Sequence, residues 1–247
     1  MLNFHVVIPA RFNSSRLPGK PLLEFDGASM IEHVYRRALA ADPQSVLIAT
    51  DDQRIAEFAE SFGAAVCMTS SEHNSGTDRI AEAVAMQSWD EDAIIVNLQG
   101  DEPKMPSGNI QQVAQLLQDT PTAQIATLCQ AITELHEYQD PNVVKVTQTD
   151  QGLALYFSRS SLPYIETDKL PELAKLAVFR HVGLYAYRAD YLHSFVAKPA
   201  SFLEKYERLE QLRALQAGDA IAIAMAREDS GIGIDTAADF QRLLNGD

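Results

Sequence analysis

FHVVIPARFNSSRLPGKP, residues 4–21, joins two signals that together set the architecture. FHVVI (4–8) is a short, β-branched apolar run ending at Pro9, the pattern of a strand buried on both faces of a parallel sheet. PARFNSSRLPGKP (9–21) then gathers Arg11, Arg16 and Lys20 into a loop of turn residues, with no carboxylate among them. The chain as a whole is acidic: 34 Asp and Glu against 20 Lys and Arg in 247 residues, a formal charge of −14. That balance argues against general affinity for nucleic acid or anionic membrane, both of which need a broad positive face. Three cations in one loop are a local exception, and a local exception points to a small anion.

The alternation begun by residues 4–8 continues through the first half. Ser29 to Glu32 reads as a capping box, followed by Ile31, Val34 and Ala38 at helical spacing. SVLIAT (45–50), AAVCMT (64–69) and AIIVNL (93–98) read as further strands, and DRIAEAVAM (78–86) as a helix. Strand–helix alternation implies a parallel sheet with helices on both faces, and ligands of such sheets bind beyond the carboxyl ends of the strands. The loops after residues 8, 50, 69 and 98 should therefore share one edge. They hold the basic segment, Thr50-Asp51-Asp52, HNSGTDR (73–79) and QGDEP (99–103).

The second half is less regular. VVKVTQT (143–149) and LALYFS (153–158) flank Asp150-Gln151-Gly152 as an antiparallel hairpin, and FRHVGLYAY (179–187) alternates like a strand. Residues 201–217 read as one helix with Leu209, Leu212 and Leu215 turned inward. The expected fold is a single α/β domain over 1–247: a Rossmann-like, mostly parallel sheet with helices on both faces and a β-rich lobe inserted at about 133–190. Cys67 and Cys129 sit in apolar contexts without CxxC spacing and are expected to be buried, reduced thiols. Neither a transmembrane run nor a signal-peptide pattern is visible, which makes a cytoplasmic protein the expectation.

Arginine forks and a lysine beside exposed amides suit a polyphosphate, although the same composition also fits a solvated basic turn. A Walker A loop is excluded: its spacing requires Gly at 14 and Ser or Thr at 21, where the chain has Ser14 and Pro21. Mutual repulsion among the three cations predicts a loop that a bound polyphosphate orders, with Lys20 a surface cation of little weight in folding.

IPARFNSSRLPGKPL resembles the first loop of the sugar nucleotidyltransferase family, and most closely that of its 3-deoxy-manno-octulosonate (KDO) cytidylyltransferases. The resemblance runs on through ATDD (49–52), SGTDR (75–79), VNLQGDEP (96–103), NVVKV (142–146), ALYFSR (154–159), FRHVGLYAYR (179–188), LEQLRAL (209–215) and GIDT (233–236). Sialic-acid cytidylyltransferases carry a different version of the first loop. SRSSLPY (158–164) departs slightly from the family's usual SRA-x-IP pattern near the sugar lobe.

The resemblance implies roles. Arg11, Arg16 and Lys20 would hold the triphosphate and leaving group, and Asp101 and Asp235 would bind Mg²⁺. Ala10 (through its backbone), Ser75, Gly76, Arg79 and Gln99 would surround the nucleotide, with Arg79 supporting either the base or the loop. Gln99, Arg159, His181, Tyr185, Glu210 and Gln211 would face an acidic eight-carbon sugar. Each has a plainer reading: Asp101 as a turn aspartate, Ser75-Gly76-Thr77 as a helix cap, Glu210 as a solvated helix charge, and Tyr185 or His181 as packing residues. His181 and Tyr185, four apart in a strand, should share a face. His73 and the remaining histidines show no metal spacing and read as surface residues.

The implied activity is transfer of CMP from CTP to the anomeric hydroxyl of KDO, giving CMP-KDO and pyrophosphate for lipopolysaccharide biosynthesis by a cytoplasmic homodimer. The alternatives are the same chemistry on 8-amino-KDO or a related sugar acid, and a non-catalytic nucleotide-binding homologue. Joint presence of Lys20, Asp101 and Asp235 argues against the last.

Overall fold

The computed structural model describes residues 2–13, 16–73, 75–231 and 233–245; Ser14 and Ser15 of the basic loop and Asn74 of HNSGTDR lie outside the described residues. The first half runs β1 (Phe4–Ala10), β2 (Glu24–Phe25), β3 (Ala28–Ser29), α1 (Met30–Leu39), β4 (Ser45–Thr50), α2 (Gln53–Ser61), β5 (Ala65–Met68), α3 (Gly76–Ala85), β6 (Ile94–Asn97) and α4 (Ser107–Asp119). The second half runs β7 (Ile125–Ala131), α5 (Leu135–Gln139), β8 (Lys145–Gln148), β9 (Ala154–Ser158), β10 (Phe179–Arg188), α6 (Ala189–Ala197), α7 (Phe202–Glu207), α8 (Leu212–Gln216), β11 (Ile221–Met225) and α9 (Ala237–Asn245).

The main sheet has the order β11-β7-β10-β6-β1-β4-β5. β1 pairs in parallel with β4 and β6, and β10 is antiparallel to both of its neighbours β6 and β7. β1 is buried along its whole length, and its period-2 alternation feeds two cores. Phe4, Val6 and Ile8 pack with α1, α2 and α4, whereas Val7 faces Ile80 and Val84 of α3 and Leu192 and Phe195 of α6. Each such fully buried aliphatic side chain stabilises the fold by about 1.5–3 kcal/mol. Pro9 continues β1 against β4, past the last β6 pairing at Val7, so its missing N–H breaks no ladder bond on the β6 side.

β10, read from sequence as part of the inserted lobe, lies in the middle of this sheet. β6 pairs with its second half from Tyr185, and β8 with its first half at Phe179 and Arg180. The β8–β9 hairpin then curls back to β11, where Ile223 N–H donates to Gly152 O at 2.8 Å. Residues 201–217 are not one helix: Arg208 takes a left-handed conformation (φ 53°) that ends α7, and α8 starts only at Leu212. Leu209 and Leu212 are buried as expected. At α1 only half of the anticipated capping box forms; Ser29 Oγ accepts from Glu32 N–H at 3.3 Å, while the Glu32 carboxylate pairs with Arg36. Both cysteines are free and buried, and burial pushes the Cys129 thiol up to about 12. No helix among the described residues is long and apolar enough to cross a membrane.

Candidate active site

The carboxyl ends of β1, β5 and β6 open into a cleft of about 230 Å³, lined by Ala10, Arg11, Arg16, Lys20, His73, Ser75, Gly76, Arg79, Gln99, Asp101 and Asp235 among others. Two glycines set its shape. Gly19 N–H bonds Phe12 O at 3.0 Å and holds φ at +71°, a turn that a side chain would strain, and this delivers Lys20 to the cleft. Gly100 passes so close to β1 that an added Cβ would stand 2.8 Å from Pro9 O, which fixes where Asp101 emerges. The basic loop is also clamped from outside, with the Arg54 guanidinium 3.4 Å above the Phe12 ring centroid.

Asp101 and Asp235, far apart in sequence, meet at Lys20. Its ammonium lies 2.7 Å from Asp101 Oδ2 and 3.3 Å from Asp235 Oδ1, and Arg16 reaches the same Asp235 oxygen at 3.0 Å. Ile234 N–H donates to Asp101 O at 2.9 Å and ties the two loops together. The carboxylates missing from the loop's own sequence are thus supplied by other elements. Two of the loop's three cations, Arg16 and Lys20, are thereby paired with carboxylates. Lys20 is no surface cation; its side chain is 11% exposed. Beside them, burial and the neighbouring Asp101 and Asp235 carboxylates push Glu102 up to about 8.

This donor set fits Mg²⁺. Two hard carboxylates share one cation position, and no group of three or more His, Cys, Asp or Glu able to hold a metal occurs among the described residues. Mg²⁺ characteristically takes one or two carboxylates and completes its shell with water and substrate phosphate.

α3 forms the opposite wall. Ser75 caps it in a reciprocal box with Asp78, so the cap reading of Ser75-Gly76-Thr77 holds while Ser75 and Gly76 also line the cleft. Arg79 is buried; its guanidinium pairs with Asp51 at 3.0 Å and donates to Thr69 Oγ1 at 2.5 Å. It therefore braces the loops after β4 and β5 while lining the cleft. Gln99 donates to Asn97 Oδ1 at 2.8 Å.

Of the sugar candidates only Gln99 lines the cleft; Arg159, His181, Tyr185, Glu210 and Gln211 lie outside its lining, and Glu210 joins the α3 wall through Thr77. Thr77 Oγ1 donates to Glu210 Oε2, and burial raises the Glu210 carboxyl. Its other oxygen, Oε1, is buried without a hydrogen-bond partner among the described residues. Glu210 is thus no solvated helix charge; it precedes α8. Tyr185 stacks on Tyr187, and the His181 ring lies 5.2 Å from that of Tyr185. A straight strand would separate positions four apart by roughly 13 Å. An irregularity between Val182 and Tyr185 brings the rings into contact, so the shared face is correct but plain alternation does not account for the closeness. Burial lowers His181 to about 3, keeping it neutral, with Nε2 donating to Thr127 Oγ1 at 2.9 Å while that hydroxyl turns to the Val182 or Leu184 carbonyl.

Arg159 stands outside the lining of the cleft, donating to Glu207 O at 2.7 Å and Pro141 O at 3.0 Å. Gln211 is buried before α8. The sequence reading missed His73, which lines the cleft instead of the surface, and Glu207, which accepts from Ser158 Oγ and Arg159 N–H. It also passed over Lys145, fully buried, whose ammonium donates to the Asp140, Val143 and Arg159 carbonyls at 2.7, 2.5 and 3.0 Å. A lone charge inside a β-patterned run such as NVVKV was a usable signal for the last; His73 and Glu207 had none.

A family model described as Cytidylyltransferase matches residues 5–223. The 3-deoxy-manno-octulosonate cytidylyltransferase of Alteromonas mediterranea is 49% identical over 247 residues, covering 98% of this chain and 99% of the relative. The protein of the same name from Nitrosococcus oceani is 45% identical, covering 98% and 95%. Among solved structures, CMP:2-keto-3-deoxy-manno-octonic acid synthetase complexed with CTP superposes with a TM-score of 0.88 at 41% identity, covering 98% of this chain and 97% of that one. A cytidylyltransferase from Leptospira borgpetersenii, 18% identical with a TM-score of 0.61, shares the fold.

Proposed function

The chain belongs to the cytidylyltransferase family, and from that premise we propose that it transfers CMP from CTP to the anomeric hydroxyl of KDO, releasing pyrophosphate and an activated sugar for lipopolysaccharide assembly. One observation carries the reading: Arg16, Lys20, Asp101 and Asp235 converge in a cleft whose other wall is the capped start of α3. The likeness to relatives named for this reaction extends over nearly the whole chain.

The anomeric oxygen forms a bond to the α-phosphorus as the bond from that phosphorus to the α–β bridging oxygen breaks; the electron pair leaves on pyrophosphate, the hydroxyl proton passes to solvent, and no covalent enzyme intermediate is required. Positioning and charge neutralisation supply the catalysis. Lys20 and Arg16, with Arg11 beside them, would face the triphosphate and the departing pyrophosphate. Asp101 and Asp235 would hold Mg²⁺, which when bound supplies positive charge beside the phosphoryl oxygens. Glu210 Oε1, a buried acceptor paired among the described residues only with the Arg213 guanidinium at 3.6 Å, is suited to a sugar hydroxyl, and the neutral His181 ring stands beside Tyr185. Arg159 would reach the sugar carboxylate only by releasing its two carbonyl partners.

The working form is proposed to be a cytoplasmic homodimer, joined through the lobe, where Leu155 on β9 and Tyr164 are exposed. Sedimentation at micromolar concentration showing only a 27.2 kDa species would remove the dimer. Pyrophosphate release measured with CTP, ATP and GTP against KDO, 8-amino-KDO and sialic acid tests the reaction. CTP with KDO should be fastest; equal release from ATP, or preference for another sugar, overturns the corresponding half of the assignment.

A further inference from the structure

Asp235 stands two residues before α9, and the start of that helix holds its backbone. Thr236 Oγ1 accepts from Asp239 N–H at 3.2 Å while Asp239 Oδ2 accepts from Thr236 N–H at 2.7 Å, a reciprocal cap on the first turn. The same Asp239 oxygen does more than a cap requires. It also accepts from Thr236 Oγ1 at 2.8 Å and from Asp235 N–H at 3.1 Å, a group that lies before the helix begins. The second oxygen, Oδ1, meets Arg242, and the Asp239 side chain is only 14% exposed. Asp239 is no part of the cleft lining; it faces a separate hollow of about 340 Å³ behind the loop, with Ile234, Arg242 and Leu243. α9 is itself anchored, because Phe240 and Leu243 pack with Ile234, Phe25 and Met30, and Leu17 of the basic loop joins the same cluster. On the other side of Asp235, Ile234 N–H is held by Asp101 O at 2.9 Å.

We propose that Asp239 is a positioning residue for the metal site: its carboxylate fixes the Asp235–Thr236 turn, so that the Asp235 carboxylate meets the cation position it shares with Asp101. The inference rests on the reading of Asp101 and Asp235 as the Mg²⁺ ligands. Asp235 is pinned to Asp101 through the residue before it and to α9 through its own N–H, and these two bonds set the direction in which its side chain leaves the backbone. With Asp239 shortened, the amides of Asp235 and Thr236 lose their common acceptor and the turn relaxes, leaving Asp101 to hold a cation alone. A helix cap needs only the contacts with Thr236. The bond to Asp235 N–H is what couples α9 to the site, and groups that orient metal ligands in this way change metal affinity by about 10- to 100-fold when removed.

The test is calorimetric binding of CTP, with no sugar present, in EDTA and at saturating Mg²⁺, to the wild-type chain, Asp239→Ala, Asp239→Asn and Thr236→Val, each checked by thermal melting. The ratio of the two dissociation constants measures what Mg²⁺ adds to CTP binding. Asp239→Ala should lower this ratio about tenfold while the affinity in EDTA stays close to that of the wild type. Asp239→Asn, whose amide oxygen still accepts from both backbone N–H groups, should keep the ratio. Thr236→Val removes the cap hydroxyl but not the acceptor of Asp235 N–H, so it should lower Tm and keep the ratio. An unchanged ratio in Asp239→Ala, or an equal fall in Thr236→Val, overturns the proposal and leaves Asp239 a cap. A ratio that falls as far in Asp239→Asn as in Asp239→Ala assigns the effect to lost charge and overturns it as well. Should Asp239→Ala not fold, Asp239→Ser reads the same ratio, because its hydroxyl stops one bond short of Asp235 N–H. A wild-type chain whose CTP affinity does not respond to Mg²⁺ would overturn the metal assignment and the proposal with it, and one that binds no CTP would overturn the CTP reading.

Discussion

Replacing Lys20 by Met separates catalysis from folding at the point where the two meet. In the structure Lys20 Nζ is 2.7 Å from Asp101 and 3.3 Å from Asp235. At an effective dielectric of about 20, a unit pair roughly 3 Å apart interacts by about 5 kcal/mol before desolvation. Asp101 and Asp235 keep 28% and 45% of their side-chain surface, so solvent screening and the desolvation of Lys20 reduce the net contribution to about 1–2 kcal/mol. Lys20→Met should therefore lower Tm by roughly 2–8 °C in a chain of this size. The loss at the transition state should be larger. Removing a charge-assisted contact to the leaving pyrophosphate costs about 2–4 kcal/mol of barrier, a fall in kcat/KM of roughly 30- to 1,000-fold. CTP at 100 times its Kd stabilises the wild type by about 2.7 kcal/mol, and a hundredfold weaker Kd leaves only about 0.4 kcal/mol at the same concentration. Pyrophosphate release, with thermal unfolding in the presence and absence of CTP, reads all three quantities. Turnover within about threefold of wild type, together with an undiminished CTP-induced shift, would refute the assignment of Lys20 to the triphosphate.

Asp101→Asn and Asp235→Asn should each remove turnover at saturating Mg²⁺ while leaving circular dichroism unchanged, since shape is kept and a negative charge is lost; near-normal rates in both would defeat the metal assignment. Lys145→Met removes the buried donor shared by three carbonyl acceptors and should cost about 3 kcal/mol, seen as a Tm lower by roughly 6–12 °C. His181 titrates near 3 in the fold against an ordinary 6.5, so below pH 6.5 the unfolded chain takes up a proton that the folded chain refuses. Stability should fall with acid between about pH 6 and 4, by up to about 1.4 kcal/mol per unit from this group. His181→Gln, which keeps a donor for Thr127, should flatten that slope in urea titrations; an equal slope would show that His181 is not the responsible group.

The strands of the first half were legible because burial on two faces imposes a continuous apolar run, and the helices because burial on one face imposes a period. FHVVI, SVLIAT and AIIVNL are apolar at most positions, and Ser75 announces α3 by its cap. What local pattern could not supply was the position of β10. FRHVGLYAY alternates convincingly as a strand, but the pairings that put it at the centre of the sheet are with residues 94–97 and 125–131, and no local preference encodes a partner that distant. The break at Arg208 was hidden for a different reason: a left-handed turn usually announces itself by Gly, and here Arg occupies it within an otherwise helical composition.

The site divides along the same line. Residue types showed that the basic loop wants an anion, because three cations in an acidic chain need a counter-charge. They did not show that Asp101 and Asp235 already stand as counter-charges to Lys20 and Arg16, since that is a relation among three loops brought together by the sheet edge. The resemblance supplied the two aspartates as a pair, and the structure adds that the lysine lies in contact with both. On the proposed reading, a triphosphate entering this cleft would have to compete with carboxylates for Lys20 and Arg16, and a metal ion with those cations for the carboxylates. Binding both together would resolve the competition, because each added charge would replace the partner that the other withdraws. This reciprocity is a property of the arrangement of four side chains, and it accounts in physical terms for a loop free of acids in sequence whose Arg16 and Lys20 are nonetheless paired in the fold.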